Sequence, residues 1–234
     1  AILRAVETVS EGVVVKSKNQ IYAGTGIEIH YDVARCIHAA ECVHGLPGVF
    51  DPKARPWINP DGATPGEIAA VVDRCPTGAL SCSRLDGGPD LDAASENQIT
   101  VAASGPLYVR GRSSVVDANG STVVEDTRVA LCRCGASKRK PLCDGSHTAA
   151  GFDDAGVIEN PPTEEPDEAV RQAGLPVNCS ADGPLGMQGP HTLIDGFAET
   201  VYRSHSSYLC RCGASANKPF CDGSHDRIGF KSDD

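Results

Sequence analysis

Cys132-Arg133-Cys134-Gly135-Ala136-Ser137-Lys138-Arg139-Lys140-Pro141-Leu142-Cys143-Asp144-Gly145-Ser146-His147 sets three cysteines and one histidine at the spacing C-x-C-x8-C-x3-H. The spacing returns without a gap at an offset of 78 residues, as Cys210, Cys212, Cys221 and His225. Flanking residues keep that offset: Gly105, Pro106 and Leu107 return as Gly183, Pro184 and Leu185, and Gly151 and Phe152 as Gly229 and Phe230. A constant offset over this length marks two copies of one structural unit. In each copy an apolar segment, residues 129–131 or Tyr208 and Leu209, leads into the C-x-C pair and puts both sulfurs on one side of a tight loop. Pro141 and Pro219 then fix the return of the third cysteine. Asp144 and Asp222 stand where an N-cap would, which makes His147 and His225 the third residue of a short helix whose free amides face the site. Three thiolates and an imidazole suit an iron-sulfur cluster, and they also suit a tetrahedral structural zinc; the C-x-C turn is shorter than the paired cysteines of common zinc fingers.

Bulk composition agrees with modules held by metal. Only 5% of the 234 residues are aromatic while Gly and Pro number 25 and 16, so much of the chain is turn and loop rather than thick core. Modules below about 70 to 80 residues need a staple. Eleven cysteines, an odd number mixed with histidines, point to metal in a reducing compartment rather than to disulfides. Residues 1–15 show no signal pattern and no apolar run approaches the roughly 20 residues of a membrane helix, so a soluble, cytoplasmic protein with no membrane partner is expected. The net charge of -10 argues against nucleic acid as a partner.

A different unit precedes the repeats, over residues 26–87. Ile27, Ile29 and Tyr31 alternate with Glu28 and His30 as a strand does. Thr64, Pro65 and Glu67 form a capping box with proline at the first helical position, and Ile68, Val71 and Val72 supply the buried stripe of a helix that delivers Cys75. Residues 88–97 read as a linker into the first repeat module, 98–152. Residues 153–168, with seven acidic side chains, no basic one and three prolines, read as a second linker that ends in a short helix near 169–173, ahead of the second module, 176–231. Residues 1–25 are assigned no more than an extra strand pair.

The stretch quoted first matches C-x-C-x2-S/T-x3-P-x-C-D-G-S/A/T-H at every specified position, and so does its second copy, with Ser137 and Ser215, Pro141 and Pro219, Asp144 and Asp222 in place. The chain thus resembles the CDGSH iron-sulfur, or mitoNEET-like, family. The resemblance implies a 2Fe-2S cluster at Cys132, Cys134, Cys143 and His147 and another at Cys210, Cys212, Cys221 and His225, with two cysteines on one iron and a cysteine plus the histidine on the other. It also implies that the two motifs pair in one chain as swapped homodimers of single-motif members do, which makes the chain a monomer. An imidazole in place of a thiolate removes negative charge, so reduction should be easier than for an all-cysteine cluster and retention should be acid-sensitive. Arg133 and Arg211, between the paired cysteines, and Lys138, Arg139 and Lys140, against Lys218 alone in the second loop, either balance an anionic cluster or dock a partner.

Cys36-Ile37-His38-Ala39-Ala40-Glu41-Cys42 and Cys75-Pro76-Thr77-Gly78-Ala79-Leu80, together with Gly45-Leu46-Pro47, Val49-Phe50 and Arg55-Pro56-Trp57-Ile58, resemble the divergent single-cluster ferredoxins. The implied ligands are Cys36, Cys42 and Cys75. Bacterial 4Fe-4S ferredoxins carry a further cysteine where Ala39 stands, so three cysteines suit a 3Fe-4S cluster directly, or a 4Fe-4S cluster whose fourth ligand is His38, Cys82, water or a partner group. His38 can equally be a hydrogen-bond donor beside the cluster. Cys82 reads as a buried thiol on a strand, as does Cys179, which stands where the first repeat has Val101. His30, His44, His191 and His205 have no spaced partners and read as surface or strand residues.

The fold expected is α+β and multi-module: a ferredoxin-like domain followed by two β-rich CDGSH modules pairing as an intramolecular pseudo-dimer. No nucleophile elbow, P-loop, dinucleotide fingerprint or paired carboxylates appear, so a substrate-converting enzyme is not expected. The first functional expectation is an electron-transfer protein serving a redox partner protein. A cluster donor or redox/pH sensor is the second, and a structural zinc-binding interaction module the third.

Overall fold

The computed structural model describes residues 19–89, 96–159, 174–198 and 201–232, and the chain divides into two units, Ala1–Asp92 and Ala93–Asp234. The first contains β1 (Asn19–Ala23), β2 (Ile27–Asp32), α1 (Glu41–Gly45), α2 (Pro65–Asp73) and β3 (Leu80–Arg84), with β2 central in an antiparallel sheet. Ile27, Ile29 and Tyr31 of β2 are buried and the residues between them only half so, as their alternation requires. At the start of α2, Thr64 Oγ1 accepts from the Glu67 amide at 3.4 Å and the Glu67 carboxylate accepts from the Thr64 amide at 2.9 Å, with Pro65 the first helical residue. Such a cap contributes ~1 kcal/mol. Ile68, Val71 and Val72 then pack into a core with Phe50, Ile58 and Leu80. Within residues 1–25, where an extra strand pair is expected, β1 pairs with β2 of the following stretch, and residues 1–18 lie outside the described residues.

The second unit repeats its elements at the offset of its cysteines. β4 (Gln98–Val101), β5 (Leu107–Val116), β6 (Thr122–Leu131) and α3 (Ser146–Ala149) correspond to β7 (Leu175–Cys179), β8 (Leu185–Ile194), β9 (Val201–Leu209) and α4 (Ser224–Arg227). β5 alternates buried and half-buried positions along its length, which turns one face of the sheet to the core. The short strand of each repeat runs antiparallel to its own long strand and parallel to the long strand of the other repeat: β4 with β5 and β8, β7 with β8 and β5. β4, β5, β7 and β8 therefore close a ring, with β6 beside β5 and β9 beside β8. Ile99, Leu107, Val177, Leu185, Leu193 and Cys179 meet in its single core. The middles of both expected linkers, including the short helix near 169–173, lie outside the described residues. Among the described residues no helix is long and apolar enough to cross a membrane.

Candidate metal centres

Each repeat places its third cysteine by laying the returning chain against the end of the strand that carries the first. The Cys132 amide donates to Pro141 O at 2.8 Å and the Cys143 amide to Ala130 O at 2.9 Å; Cys210 with Pro219 and Cys221 with Tyr208 repeat both distances. The sulfurs of Cys132 and Cys134 are 3.7 Å apart, and Cys143 Sγ is 3.4 Å from His147 Nδ1. In the second repeat these distances are 3.8 and 3.4 Å. The four donors of each site thus fall into two pairs. Among the described residues, no three or more His, Cys, Asp or Glu side chains gather as a group that could hold one metal ion.

The loops around these donors are held by the residues the motif specifies. Ser137 donates to Leu142 O at 2.6 Å and accepts from the Arg139 amide at 3.1 Å, and Ser215 does the same with Phe220 and Asn217. Asp144 accepts from the Lys138 amide with one oxygen and the Ser146 amide with the other, at 2.9 and 3.0 Å; Asp222 does so with Ala216 and Ser224. Partial burial pushes the Asp144 carboxyl up, but bonds from Ser146 and the Lys138 amide outweigh it and hold the group at about 2. The helix differs from its expectation. Gly145 and Gly223, at φ 87° and 80°, occupy the N-cap position, so the aspartates stand one residue earlier and the histidines are second in their helices. Each helix is one turn long, too short for its dipole to matter, and the amides that reach sulfur belong to the turns: Gly145 to Cys143 at 3.4 Å and Ala136 to Cys134 at 3.5 Å.

Arg133 and Arg211 have a structural role that the sequence did not announce. Both are buried, and they clamp the turn before the long strand: Arg133 Nε donates to Gly105 O at 2.8 Å and Nη2 to Ala102 O, while Arg211 repeats this on Gly183 and Ser180. The repeated Gly-Pro-Leu segment is the acceptor of that clamp. Arg133 also pairs with Asp154 at 2.5 Å and lies over the Phe152 ring; Arg211 lies over Phe230. The two C-x-C turns meet, with Cys134 and Cys212 in an antiparallel bridge. Lys218 reaches across to Asp154 at 3.8 Å and Lys140 across to the Phe230 ring at 5.8 Å.

In the first unit Cys36, Cys42 and Cys75 line a cavity of about 500 Å³ together with His38, Tyr31 and Thr77. Cys42 sits on α1, an element the sequence did not announce because it starts after Ala40, a non-glycine residue at φ 64°; His38 is at φ 59°. Each left-handed residue costs roughly 1–2 kcal/mol, and here they turn the loop so that both of its cysteines face Cys75, which follows directly on the end of α2. Burial raises the Cys42 thiol, and burial followed by a bond to Cys36 raises the Tyr31 hydroxyl. Thr77, buried, lies 3.6 Å from Cys75 Sγ and accepts from the Ala79 amide at 3.1 Å. Cys82, on β3, pairs with Ile29 of β2, does not line the cavity, and is half-buried rather than buried as expected, packed against the first core from its margin. Cys179 is buried in the second core, which pushes its thiol up to about 11. His191, on β8, is buried with Nδ1 on Gly189 O and Nε2 on Ser207 Oγ.

Comparison with known proteins agrees with this division. Residues 22–85 match the family described as divergent 4Fe-4S mono-cluster, and residues 104–148 and 182–226 match the iron-binding zinc finger of CDGSH type. Over 59 residues, a quarter of this chain, the protein is 39% identical to the uncharacterized protein YjdI of Escherichia coli strain K12 and of strain O157:H7, covering 78% of each. No solved structure is significantly similar to the chain. The chain belongs to the divergent 4Fe-4S mono-cluster family over residues 22–85 and carries two CDGSH iron-binding modules after it, and is an iron-sulfur protein.

Proposed function

We propose that the chain is an electron carrier, with a 2Fe-2S cluster at each CDGSH site and a 3Fe-4S or 4Fe-4S cluster at Cys36, Cys42 and Cys75. The observation that carries this is the division of each CDGSH donor set into two close pairs, 3.7 and 3.4 Å across in the first repeat, while among the described residues no three donors gather around one point as a tetrahedral zinc needs. Bound clusters supply one-electron chemistry; the residues supply soft donors, turn amides aimed at sulfur, and two-fold packing in which the repeats form a single-chain counterpart of a swapped homodimer. A monomer, a redox partner protein and a reducing compartment such as the cytoplasm follow from that reading, and no substrate-converting site is assigned. Iron and sulfide analysis with electron paramagnetic resonance on anaerobically purified protein should return about four irons from the repeats and about three or four more from the first unit. A colourless protein holding only zinc would overturn the proposal.

Replacing His147 and His225 by cysteine adds a thiolate to each site, so both CDGSH potentials should fall and iron should be retained at about pH 5 where the parent loses it. The sign can be separated from the aspartates. The Asp144 carboxyl, held at about 2, lies below its unfolded value, so its contribution is complete above about pH 4 and is lost only as pH falls toward 2. The Asp144 contribution is therefore lost below the mildly acidic range in which an imidazole takes up its proton.

The Thr77 oxygen accepts from the Ala79 amide, which leaves its hydrogen to donate to Cys75 Sγ. A donor on a cluster sulfur favours the more negative, reduced state. Thr77→Val should lower the potential of the first centre at unchanged iron content and Thr77→Ser should keep it, read by potentiometric titration.

A further inference from the structure

The two-fold relation between the repeats makes each CDGSH site a control for the other. The arginine clamps, the serine and aspartate bonds and the donor distances coincide pair by pair. Two differences bear on the cysteine-histidine pair. Arg139 stands in the first loop where the second has Asn217, with its amide on Ser137 Oγ at 3.1 Å and its carbonyl on the amide of Leu142, the residue before Cys143, at 2.8 Å. Asp226 stands where the first helix has Thr148, with Oδ1 3.6 Å from Nε2 of His225, the ring nitrogen turned away from Cys221.

Lys138, where the second loop has Ala216, adds to the positive charge of the first loop, while the charges of Arg227, Lys231 and Asp154 are each matched by an opposite one. Arg227 lies 3.6 Å from Asp222 and donates to Ser224, Lys231 is 2.7 Å from Asp182, and Asp154 is paired with Arg133.

Adding an electron to a site adds negative charge. A carboxylate at the outer nitrogen of a ligating imidazole strengthens that ligand's donation and opposes the added charge, while a nearby guanidinium favours it. We propose that the Cys210, Cys212, Cys221 and His225 site has the lower reduction potential of the pair, that the Cys132, Cys134, Cys143 and His147 site takes the first electron, and that Asp226 and Arg139 are the positioning residues that separate them. This rests on reading each repeat as a 2Fe-2S centre. Its consequence is a tandem that fills in a fixed order, with the resting electron held at the first repeat.

The test is a potentiometric titration of the full-length holoprotein, following the 2Fe-2S paramagnetic signals. Two separate steps are expected. Asp226→Thr should raise only the lower step and Arg139→Asn should lower only the upper one, so that the double variant brings them together; raising the salt concentration should narrow the gap in the parent. Both substitutions are at exposed or half-exposed positions, and an unchanged iron content shows that the sites have survived them. A single unsplit step in the parent, or a shift of the upper step by Asp226→Thr, would overturn the ordering while leaving the electron-carrier reading intact. Absence of any reducible 2Fe-2S signal would overturn both.

Discussion

Arg133→Met should destabilise the second unit by about 3–5 kcal/mol, the loss typical of removing one partner from a buried ion pair. The Arg133 side chain is 1% exposed, and every direction it takes ends on a group that depends on it: Gly105 O, Ala102 O, the Asp154 carboxylate and the face of Phe152. Asp154 is itself only 14% exposed, so the variant strands a carboxylate in a poorly solvated place. Lys218, 3.8 Å away, softens that and favours the lower end of the range. Arg211→Met should cost less, because the position that corresponds to Asp154 is Ser232. Lysine is a poor replacement at either position, since it offers a point charge in place of a planar fork. Denaturant midpoints of the two variants, measured on the same holoprotein preparation, check the difference. Equal midpoints within error would mean that the Asp154 pair adds nothing to the clamp.

That clamp also shows where reading the sequence stops. The donors, the duplication and the α2 cap are legible because each depends on residues a few positions apart, and spacing states such relations directly. Thr64 and Glu67 lie three residues apart, and Cys143 and His147 four. Arg133 and Gly105 are 28 residues apart, and their common offset in the second copy says that both recur without saying that they touch. Crossed pairing, implied by the family resemblance, is hidden from spacing for the same reason. Two equal copies could each fold on themselves, and only the parallel contacts of β4 with β8 and β7 with β5 show which strand completes which repeat. The first unit fails differently. Helix α1 begins behind Ala40 in a left-handed conformation that propensity disfavours, so no local signal announces it. The misplaced cap at Asp144 is a smaller case of the same kind: Gly145 takes the left-handed turn and displaces the helix start by one residue.

Gly135→Ala is expected to empty both CDGSH sites although it alters only one repeat. Gly135 has φ +78°, and a Cβ built there would lie 2.6 Å from the carbonyl oxygen of Cys212; Gly213, at φ +81°, stands in the same relation to Cys134 O. Neither neighbour is a flexible side-chain end that could swing away. Each is the backbone of the residue that carries a donor sulfur of the other site. The substitution therefore adds about 1–2 kcal/mol of left-handed strain and an overpacking term of about 1–3 kcal/mol, and the second term is relieved only by moving Cys212. Gly120→Ala separates the two terms. Gly120 has a similar φ of +85° with nothing within 4 Å of its Cβ position, and it lies in the turn between β5 and β6, so it should show the strain alone and keep its iron. Iron per chain, and the signals of the two 2Fe-2S centres followed separately, give the readout. Loss confined to the first repeat would mean that the two turns touch without depending on each other. Loss from both would mean that the shared turn is one structural element, and that a tandem of this kind holds its two clusters together or not at all.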